Sequence, residues 1–426
     1  MRSQILHGDS RVILRGYPDN FFDSCVCDPP YELGFMGKRW DSTGIAYDVG
    51  LWEQVLRVLK PGAHLAAFGG TRTYHRMTCA IEDSGFEIRD SLHWIYGSGF
   101  PKSLDISKAI DKLHGAERTE ITGVKLGHEE FAGRKTTGHL VTPEGNTNEG
   151  WTRPWAAKED AAERYSAKFA PATEDAAAWD GWGTALKPSH EPIVLARKPF
   201  PDTVASNVLK HGTGGLNIDA TRVGDVPLVN PPAGNKPGGA AYMMSVHGMP
   251  QDAEARTVEG RWPPNVLYGH SDGCNGECVP GCPVLELNTQ SGIQTSGKSS
   301  GIHLAYQGDS DTGFLRGVSS PDNQYDDTGG ASRFFPCFKY NAKAASKERP
   351  RGEVAHSTVK PLELMRWLVR LVTPPEGVVL DPFAGSGTTG EACVQEGMNY
   401  VLVEKEADYI QLINDRLSQP SLFEEL

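Results

Sequence analysis

Apolar residues in the first hundred positions alternate between short continuous runs and helical spacing, the pattern of β-strands and α-helices in turn. The runs predict strands over residues 4–7, 22–27, 64–68 and 86–96. Helical spacing predicts helices over residues 47–59 and 74–84, and Lys60-Pro61-Gly62 is a typical stop for the first of them. This order of elements favours an α/β fold built on a parallel sheet.

The same alternation returns in the last part of the sequence. It predicts strands over residues 377–380 and 400–403, and helices over residues 361–372, 388–396 and 407–417. The middle adds a predicted helix over residues 105–113 and a predicted strand over residues 191–198. The core of the fold is therefore expected to combine both ends of the sequence.

Two regions between these blocks lack apolar periodicity. Residues 115–179 are polar and charged, and we interpret them as an insertion within a hairpin of the core sheet. Residues 200–330 are rich in Gly, Pro, Asn and Ser but retain large aromatic residues, which favours a loop-rich second domain over disorder. The predicted organisation is 1–114 core, 115–180 insertion, 181–200 core strand, 201–332 second domain and 333–426 core.

Composition narrows the class of protein. The 48 glycines and 29 prolines among 426 residues argue against a coiled coil or a helical bundle. No apolar run approaches the ~18 residues that a bilayer span requires, and eight cysteines are too sparse for a disulfide scaffold. We therefore expect a cytoplasmic protein without a membrane partner.

Charge limits the binding partners without excluding nucleic acid. The net charge of −12 argues against indiscriminate binding to polyanions. Residues 331–370, however, hold nine basic residues against three acidic ones. This segment is interpreted either as a solvated face or as a surface that contacts DNA phosphates.

A glycine-rich turn follows the predicted strand at 377–380. The sequence Asp381-Pro-Phe-Ala-Gly-Ser-Gly387-Thr388 leads from that strand into a helix, where glycines let the backbone approach a ligand and the helix N-terminus supplies free N–H groups. Glu404 ends the next strand, nineteen positions after Gly385, which is the place for a carboxylate that binds ribose hydroxyls. A dinucleotide or S-adenosylmethionine would fit. Asp381 favours S-adenosylmethionine, because a carboxylate suits an ammonium group better than a phosphate.

A second chemical motif, Asp28-Pro29-Pro30-Tyr31, follows the predicted strand at 22–27. The prolines lack N–H donors, so this turn presents acceptors only. An exocyclic amine is a poor nucleophile because its lone pair is delocalised into the base. If the Asp28 carboxylate and the Pro29 carbonyl each accept one N–H, the lone pair can face a methyl donor, while Tyr31 stacks on a base flipped out of the duplex. The alternative is a rigid turn with a buried aromatic residue.

Together the two motifs resemble the amino-group DNA methyltransferases of the beta class, in which the catalytic motif precedes the cofactor motif in a circularly permuted arrangement. The segment Ile5-Leu-His-Gly-Asp9 and the segment His356-Ser-Thr-Val-Lys-Pro361 are also similar to family motifs. The resemblance covers roughly residues 1–100, 185–200 and 333–420. It implies a Rossmann-like S-adenosylmethionine-dependent methyltransferase sheet of seven strands, with an inserted target-recognition region over 201–332.

The resemblance also implies roles for individual residues. Asp28, Pro29, Pro30 and Tyr31 would be catalytic. Asp9 would lie near the cofactor's adenine, and the His356 segment would help to form the methionine pocket. The residues assigned to the cofactor are Asp9, Asp381, Phe383, Ala384, Gly385, Ser386, Gly387, Thr388, Glu404, His356, Thr358 and Lys360.

The expected activity is methylation of adenine N6 in double-stranded DNA, within a restriction-modification system. A homodimer is also expected, because dimers are common among enzymes that resemble this one. Asp in the first catalytic position favours adenine, since Ser there is more typical of cytosine-N4 enzymes. Cytosine-N4 methylation stays open, as does methylation of an RNA base or a protein amide. A binding-only module and a dinucleotide oxidoreductase are further alternatives.

Four potential soft ligands recur at every fourth position: His270, Cys274, Cys278 and Cys282. They could hold a tetrahedral zinc ion, but their spacing is wider than the usual Cys-x₂-Cys and they lie among glycines and prolines. The sequence alone favours ordinary thiols and no bound metal, with zinc as the alternative.

Overall fold

The computed structural model describes residues 3–34, 39–97, 99, 103–124, 167–230, 256–271, 273–296, 302–305, 316–319, 327–339 and 359–418. The chain divides into two compact units. One unit comprises residues 1–98 and 189–426, and the other comprises residues 99–188. Both predicted motifs, at 28–31 and 381–388, belong to the first unit.

The first unit is built on a nine-stranded sheet in the described part of the chain. Its strands are β1 (Gln4–His7), β2 (Phe22–Cys27), β3 (Leu59–Phe68), β4 (Glu87–Ile95), β5 (His190–Arg197), β6 (Val266–Gly269), β7 (Cys337–Phe338), β8 (Val378–Asp381) and β9 (Asn399–Glu404). They lie in the order β1-β9-β8-β2-β3-β5-β4-β6-β7. Only β5 runs antiparallel to its two neighbours, β3 and β4; the other neighbouring strands are parallel.

Ten α-helices occur among the described residues: α1 (Ser10–Ile13), α2 (Val49–Val58), α3 (Tyr74–Asp83), α4 (Ile106–Leu113), α5 (Glu174–Ala178), α6 (Val204–His211), α7 (Pro283–Ser291), α8 (Leu362–Val372), α9 (Thr388–Gln395) and α10 (Ala407–Leu417). Short 3₁₀ helices cover Leu14–Gly16, Arg39–Ser42, Ile45–Tyr47, Asp219–Thr221 and Ala331–Phe334. None of the helices in the described ranges is long and apolar enough to cross a bilayer.

The predicted α/β core is confirmed, with two corrections. The prediction of seven strands was wrong, because β6 and β7 extend the sheet to nine. Lys60-Pro61-Gly62 does not simply end a helix: α2 ends at Val58, and these three residues already belong to β3. The proline is accommodated there because β3 pairs with β2 at Leu59 and again only from His64 onward.

Burial on both faces explains why the apolar runs form central strands. All six residues of β2 are buried. Cys25 and Cys27 pack into the core on the side of α2 and α3, whereas Val26 packs into the core on the side of α8. Strands covered on both faces read as continuous apolar runs, as this one does.

Strand β2 joins segments that are far apart in the sequence. It pairs in parallel with β8 through Ser24 opposite Val379 and Cys25 opposite Leu380. The backbone N–H of Val378 also donates to Asp23 Oδ2 at 2.8 Å, across 355 positions of sequence. The early and late blocks of the sequence therefore form one sheet.

Residues 99–188 connect β4 to β5, which pair antiparallel. The strands that flank this unit thus pair as a hairpin of the core sheet, and the bounds of the insertion, 115–180, remain a prediction. The unit contains α4, α5 and a hairpin of Ile121–Val124 with Ala167–Phe169. Its buried Asp111 accepts hydrogen bonds from Arg118 at 2.6 Å and from Thr173 at 2.8 Å.

Three two-stranded antiparallel sheets lie among the described residues of the predicted target-recognition region. They pair Val223–Asn230 with Arg256–Arg261, Gln294–Thr295 with Thr328–Gly329, and Ile302–Ala305 with Arg316–Ser319. Strand β6 arises from the same region but belongs to the central sheet. The boundaries of that region remain predictions.

Candidate active site

The two predicted motifs follow neighbouring strands at the same edge of the sheet. Asp28 comes directly after β2, and Asp381 is the last residue of β8, its parallel neighbour. Ligands of open α/β sheets bind at the carboxyl ends of the strands. The structure therefore brings the acceptor motif and the glycine turn to one place.

Asp28 forms an ion pair with Lys360. Lys360 Nζ donates to Asp28 Oδ2 at 2.6 Å and lies 3.4 Å from Glu191 Oε2. The side chains of Lys360 and Glu191 are only 9% and 19% exposed, so these charges interact with little screening by solvent. One ammonium group thus lies between two carboxylates and offsets part of their charge.

The second oxygen of Asp28 has no partner within the described residues. Asp28 Oδ1 is buried, and no hydrogen-bond donor there lies within reach of it. A buried acceptor without a donor is unfavourable by about 1–3 kcal/mol, so such atoms in folded proteins call for an explanation. Because Lys360 holds Oδ2, Oδ1 is the acceptor that can serve a substrate N–H.

Tyr31 is fixed by three contacts. Its hydroxyl donates to Glu191 Oε2 at 2.7 Å, and its carbonyl accepts from Thr73 Oγ1 at 2.8 Å. Its ring packs on Gly70, where an added Cβ would come within 3.1 Å of Tyr31 Cδ2. Burial and the carboxylates of Asp28 and Glu191 hold the pKa of Tyr31 well above its usual value, so the hydroxyl remains a neutral donor.

Lys360 contacts Asp28, and its assignment to the cofactor remains a prediction. Its Nζ lies 5.1 Å from the ring centroid of Tyr31 and 5.0 Å from that of Phe68. Burial lowers the pKa of Lys360, but the carboxylates of Asp28 and Glu191 raise it more, so the net shift is upward. Lys360 therefore stays protonated.

Two residues of this cluster were missed by sequence reasoning. Glu191 binds Tyr31 and Lys360, and the hydroxyl of Tyr96 lies 3.5 Å from Glu191 Oε1. The available signal was a carboxylate at the start of the apolar run Ile193–Ala196, because a charge beside a buried strand needs a partner. What the sequence could not supply is that β5 lies two strands from β2 in the sheet.

The glycine turn is held by Glu404. The backbone N–H of Gly385 donates to Glu404 Oε2 at 2.7 Å, and that of Glu406 donates to Glu404 Oε1 at 2.8 Å. Gly385 and Gly387 have φ values of 53° and 79°, in the left-handed region that favours glycine. Each carboxylate oxygen of Glu404 keeps a further lone pair with which to accept a ligand hydroxyl.

Asp381 is buried beneath this turn. Its Oδ1 accepts the N–H of Phe383 at 2.9 Å, and its Oδ2 accepts the hydroxyl of Thr389 at 2.5 Å. Burial, together with the nearby charges of Asp28 and Glu404, outweighs these hydrogen bonds and raises the pKa of Asp381 to about 7. Its charge therefore changes close to neutral pH.

Other residues of the turn have internal partners. The hydroxyl of Thr388 and the hydroxyl of Ser386 both accept from Arg416 Nη1, at 3.0 and 3.1 Å. Ala384 donates its N–H to Val403 at 3.0 Å, and the ring of Phe383 lies 6.3 Å from that of Trp52. These contacts fix the shape of the turn, and the assignment of these residues to the cofactor remains a prediction.

Asp9 lies next to the start of the turn. It caps α1, and its carboxylate accepts from Arg11 Nη2 at 2.7 Å, which lowers the pKa of Asp9. The adjacent Ser10 donates to the carbonyl of Pro382 at 2.5 Å. Asp9 is thus near the predicted pocket but already bound to a cation. His356 and Thr358 lie outside the described residues.

Most of the described cations of the basic segment form ion pairs within the protein. Four of its nine cations bind carboxylates: Arg333, Lys360, Arg366 and Arg370. Lys339 is exposed. Lys343, Lys347, Arg349 and Arg351 lie outside the described residues. The segment is therefore not a continuous phosphate-binding face at its described positions.

Comparison with known proteins identifies the family. A family model described as DNA methylase, of the N6 and N4 methyltransferases, matches residues 22–415. The chain belongs to the N6/N4 DNA methylase family. The members of this family depend on S-adenosylmethionine, which confirms the cofactor prediction at the level of the family.

Several relatives of the N6/N4 methylase are type II methyltransferases. M.HindIII of Haemophilus influenzae is 44% identical over 418 residues, 97% of this chain and 79% of the relative. M.HinfI of Haemophilus influenzae is 43% identical over 68 residues, and this match spans only 19% of the relative's length.

Solved structures of similar proteins align with this chain over most of its length but with low TM-scores. A complex of M1.HpyAVI with S-adenosylmethionine is 14% identical, with a TM-score of 0.38 over 98% of this chain and 99% of that one. The cytosine-N4-specific PvuII DNA methyltransferase is 12% identical, with a TM-score of 0.41 over 100% of this chain and 89% of that one.

Proposed function

We propose that the protein is a site-specific DNA methyltransferase that transfers a methyl group from S-adenosylmethionine to N6 of adenine in double-stranded DNA. The observation that carries this proposal is the buried, unpartnered Oδ1 of Asp28 beside the glycine turn. Family membership supports methylation of an exocyclic amine. As a type II-like enzyme it would act within a restriction-modification system.

The acceptor site suits an exocyclic amine. Asp28 Oδ1 accepts one N–H of the amine and the Pro29 carbonyl accepts the other, which withdraws the nitrogen lone pair from the ring. Lys360 keeps Asp28 Oδ2 occupied, so only one carboxylate oxygen faces the substrate. Tyr31, oriented through Glu191, provides an aromatic surface for the flipped base.

The turn suits the cofactor. S-adenosylmethionine supplies an electrophilic methyl group on a sulfonium centre. Glu404 has lone pairs left for ribose hydroxyls, and the ionised form of Asp381 attracts the methionine ammonium group. Asp9 would have to share its carboxylate between Arg11 and the adenine amine. His356 and Thr358 would complete the methionine pocket.

Adenine is preferred over cytosine because the catalytic motif begins with Asp, which in enzymes similar to this one accompanies adenine. The same acceptor chemistry would serve cytosine N4, which is the second candidate. The recognition sequence would be read by residues within 201–332, and a homodimer would help the enzyme to span the duplex.

The decisive experiment follows the methyl group. Purified protein is incubated with methyl-tritiated S-adenosylmethionine and unmethylated genomic DNA, and the nucleosides are separated by liquid chromatography and identified by mass spectrometry. We expect N6-methyldeoxyadenosine, and its rate of formation should fall by about 10²–10⁴-fold with Asp28→Ala. N4-methyldeoxycytidine would establish the second candidate. Label in RNA or protein but not in DNA, or no transfer at all, would refute the proposal.

A further inference from the structure

A group of soft ligands lies apart from Asp28 and the glycine turn, between β6 and α7. His270, Cys274, Cys278 and Cys282 place one ring nitrogen and three sulfurs within 4.8 Å of one another. His270 Nδ1 lies 3.3 Å from Cys278 Sγ and 3.7 Å from Cys282 Sγ. The convergence comes from the fold, since the four positions span thirteen residues of irregular backbone.

Two of the nitrogen–sulfur separations are close to those of a tetrahedral metal site. With Zn–S of about 2.3 Å and Zn–N of about 2.0–2.1 Å, a tetrahedron places nitrogen and sulfur about 3.5 Å apart and two sulfurs about 3.8 Å apart. The nitrogen–sulfur distances of 3.3 and 3.7 Å fall on either side of that value. A thiol–imidazole hydrogen bond alone would explain one short contact. It would not explain the approach of three sulfurs to one another and to the same nitrogen.

The backbone of the loop is shaped to hold the side chains inward. Gly273, Gly276 and Gly281 have φ values of 94°, 82° and 78°, which turn the chain sharply between the ligand positions. The N–H of Val279 donates to Cys274 Sγ at 3.4 Å. An amide that donates to a sulfur supports its thiolate form, as groups around metal ligands commonly do.

The kind of ligand atoms, three sulfurs and one imidazole nitrogen, indicates which metal ion the site would bind. Three sulfurs with one imidazole is a common ligand set of structural zinc, and soft thiolates disfavour Mg²⁺ and Ca²⁺. Three thiolates this close would repel one another unless a cation neutralised them. With four protein ligands no coordination position is left for a substrate, so such a site is structural.

The cluster lies where it can connect α7 to strand β7 of the central sheet. The N–H of His270 donates to the carbonyl of Phe338 in β7 at 2.8 Å, and the buried Cys282 is the N-cap of α7. The loop also packs on Gly97, where an added Cβ would come within 2.8 Å of Ser271 Oγ. Gly97 directly follows Tyr96, whose hydroxyl approaches Glu191.

We propose that His270 Nδ1 and the thiolates of Cys274, Cys278 and Cys282 bind one Zn²⁺ in a closed tetrahedral site that fixes α7 to the edge of the central sheet. The sequence alone favoured ordinary thiols because the ligand spacing is unusual. The usual Cys-x₂-Cys spacing applies when two ligands lie on the same regular turn. In this loop, three glycines with positive φ bring more widely spaced ligands together. The site is independent of the methyl-transfer chemistry, so neither proposal depends on the other.

Metal analysis tests the proposal directly. The full chain, purified without a histidine tag and under reducing conditions, is desalted and measured by mass spectrometry for zinc. We expect one zinc per chain in the wild type, less than about a fifth of that in Cys274→Ser/Cys278→Ser, and one per chain in the control Cys79→Ser. Cys79 is an exposed thiol on α3, outside the cluster.

Two further measurements remain decisive if the double variant fails to fold. X-ray absorption of the wild type should give three sulfurs at about 2.3 Å and one nitrogen at about 2.0–2.1 Å. Removal of zinc should lower the melting temperature, and re-addition should restore it. A wild type that neither retains nor rebinds zinc, a double variant that keeps one zinc, or a disulfide among these cysteines in the purified protein would overturn the proposal.

Discussion

Lys360 donates to Asp28 at 2.6 Å and thereby joins two residues that are 332 positions apart in the sequence. The same ammonium group lies 3.4 Å from Glu191, which in turn accepts the hydroxyl of Tyr31. The three segments that supply Asp28, Glu191 and Lys360 thus meet in one cluster of ion pairs at the carboxyl end of β2. The proposed reaction requires that cluster to leave a single acceptor free.

The first test concerns that free acceptor. Asp28→Ala removes both oxygens, and Asp28→Asn turns one of them into a donor that faces the amine. We expect kcat to fall by about 10²–10⁴-fold in both variants, because a positioned polar group at a reacting centre contributes an effect of that size. Affinity for S-adenosylmethionine, measured by calorimetry, should change less than about threefold.

Asp83→Asn is the matched control for Asp28, since Asp83 is exposed at the end of α3. It should leave both kcat and cofactor affinity unchanged. Loss of cofactor binding in parallel with loss of kcat would assign Asp28 to the cofactor instead of the acceptor amine.

The second test asks whether the contacts of Glu191 with Tyr31 and Lys360, as distinct from its volume, matter for catalysis. Glu191→Gln weakens its contacts with Tyr31 and Lys360 while keeping its volume, and Tyr31→Phe removes the hydroxyl that Glu191 binds. We expect each change to lower kcat by about tenfold with little effect on the KM for S-adenosylmethionine. In the double variant, the increase in activation free energy should be smaller than the sum of the two single increases by a coupling energy of about 0.5–3 kcal/mol, as for residues in direct contact. Strictly additive losses would show that Glu191 does not act through Tyr31.

The third test uses the raised pKa of Asp381, which lies at about 7. A carboxyl group is neutral below its pKa, so the proposed attraction for the methionine ammonium group is present above pH 7 and is lost as the pH falls. Calorimetric affinity for S-adenosylmethionine should weaken between pH 7.5 and 5.5, by at most about tenfold per pH unit. Asp381→Asn should bind more weakly and lose this dependence, and an unchanged slope in that variant would remove Asp381 from the pocket.

The fourth test concerns DNA phosphates. Lys339 is exposed in the basic segment. If it contacts a phosphate, Lys339→Ala should weaken binding to all DNA sequences alike and reduce the slope of log K against log salt by about 0.9. Fluorescence anisotropy over a range of salt concentrations measures both quantities. An identical slope would take Lys339 out of the interface.

Arg366 provides the contrasting control, because it binds Glu396 at 2.7 Å within the protein. Arg366→Ala should leave the salt slope unchanged. It should lower the free energy of unfolding by about 1–3 kcal/mol, since the nearly buried carboxylate of Glu396 then loses a partner. A reduced slope in this variant would show that Arg366 reaches the DNA.

Local signals in the sequence located most elements of the core and both motifs. The apolar run 22–27 and the strand β2 coincide, as do the predicted and observed bounds of α10 at 407–417. Such runs report burial, which is a local property of each strand or helix. Strand β7, in contrast, has only two residues, too few for any periodicity, and its place in the sheet depends on β6.

Sequence reasoning did not find the parts of the site that depend on packing between distant segments. Glu191 acts because β5 inserts between β3 and β4, and Lys360 turns toward Asp28 because Glu191 adds a second negative charge there. A motif names the residues of one segment but not the partner that another segment will bring. The cysteine loop shows the same limit, since its ligands converge through glycine turns that the spacing did not reveal.

The pairing of β2 with β8 also constrains how the protein is made. At about 5–20 residues per second, the 355 positions between Asp23 and Val378 correspond to tens of seconds on the ribosome. Throughout that interval one side of β2 has no neighbouring strand, and the nascent chain carries an open, apolar edge of the kind that pairs with other chains. Yield of the intact enzyme should therefore depend on chaperones that shield that edge until translation reaches β8.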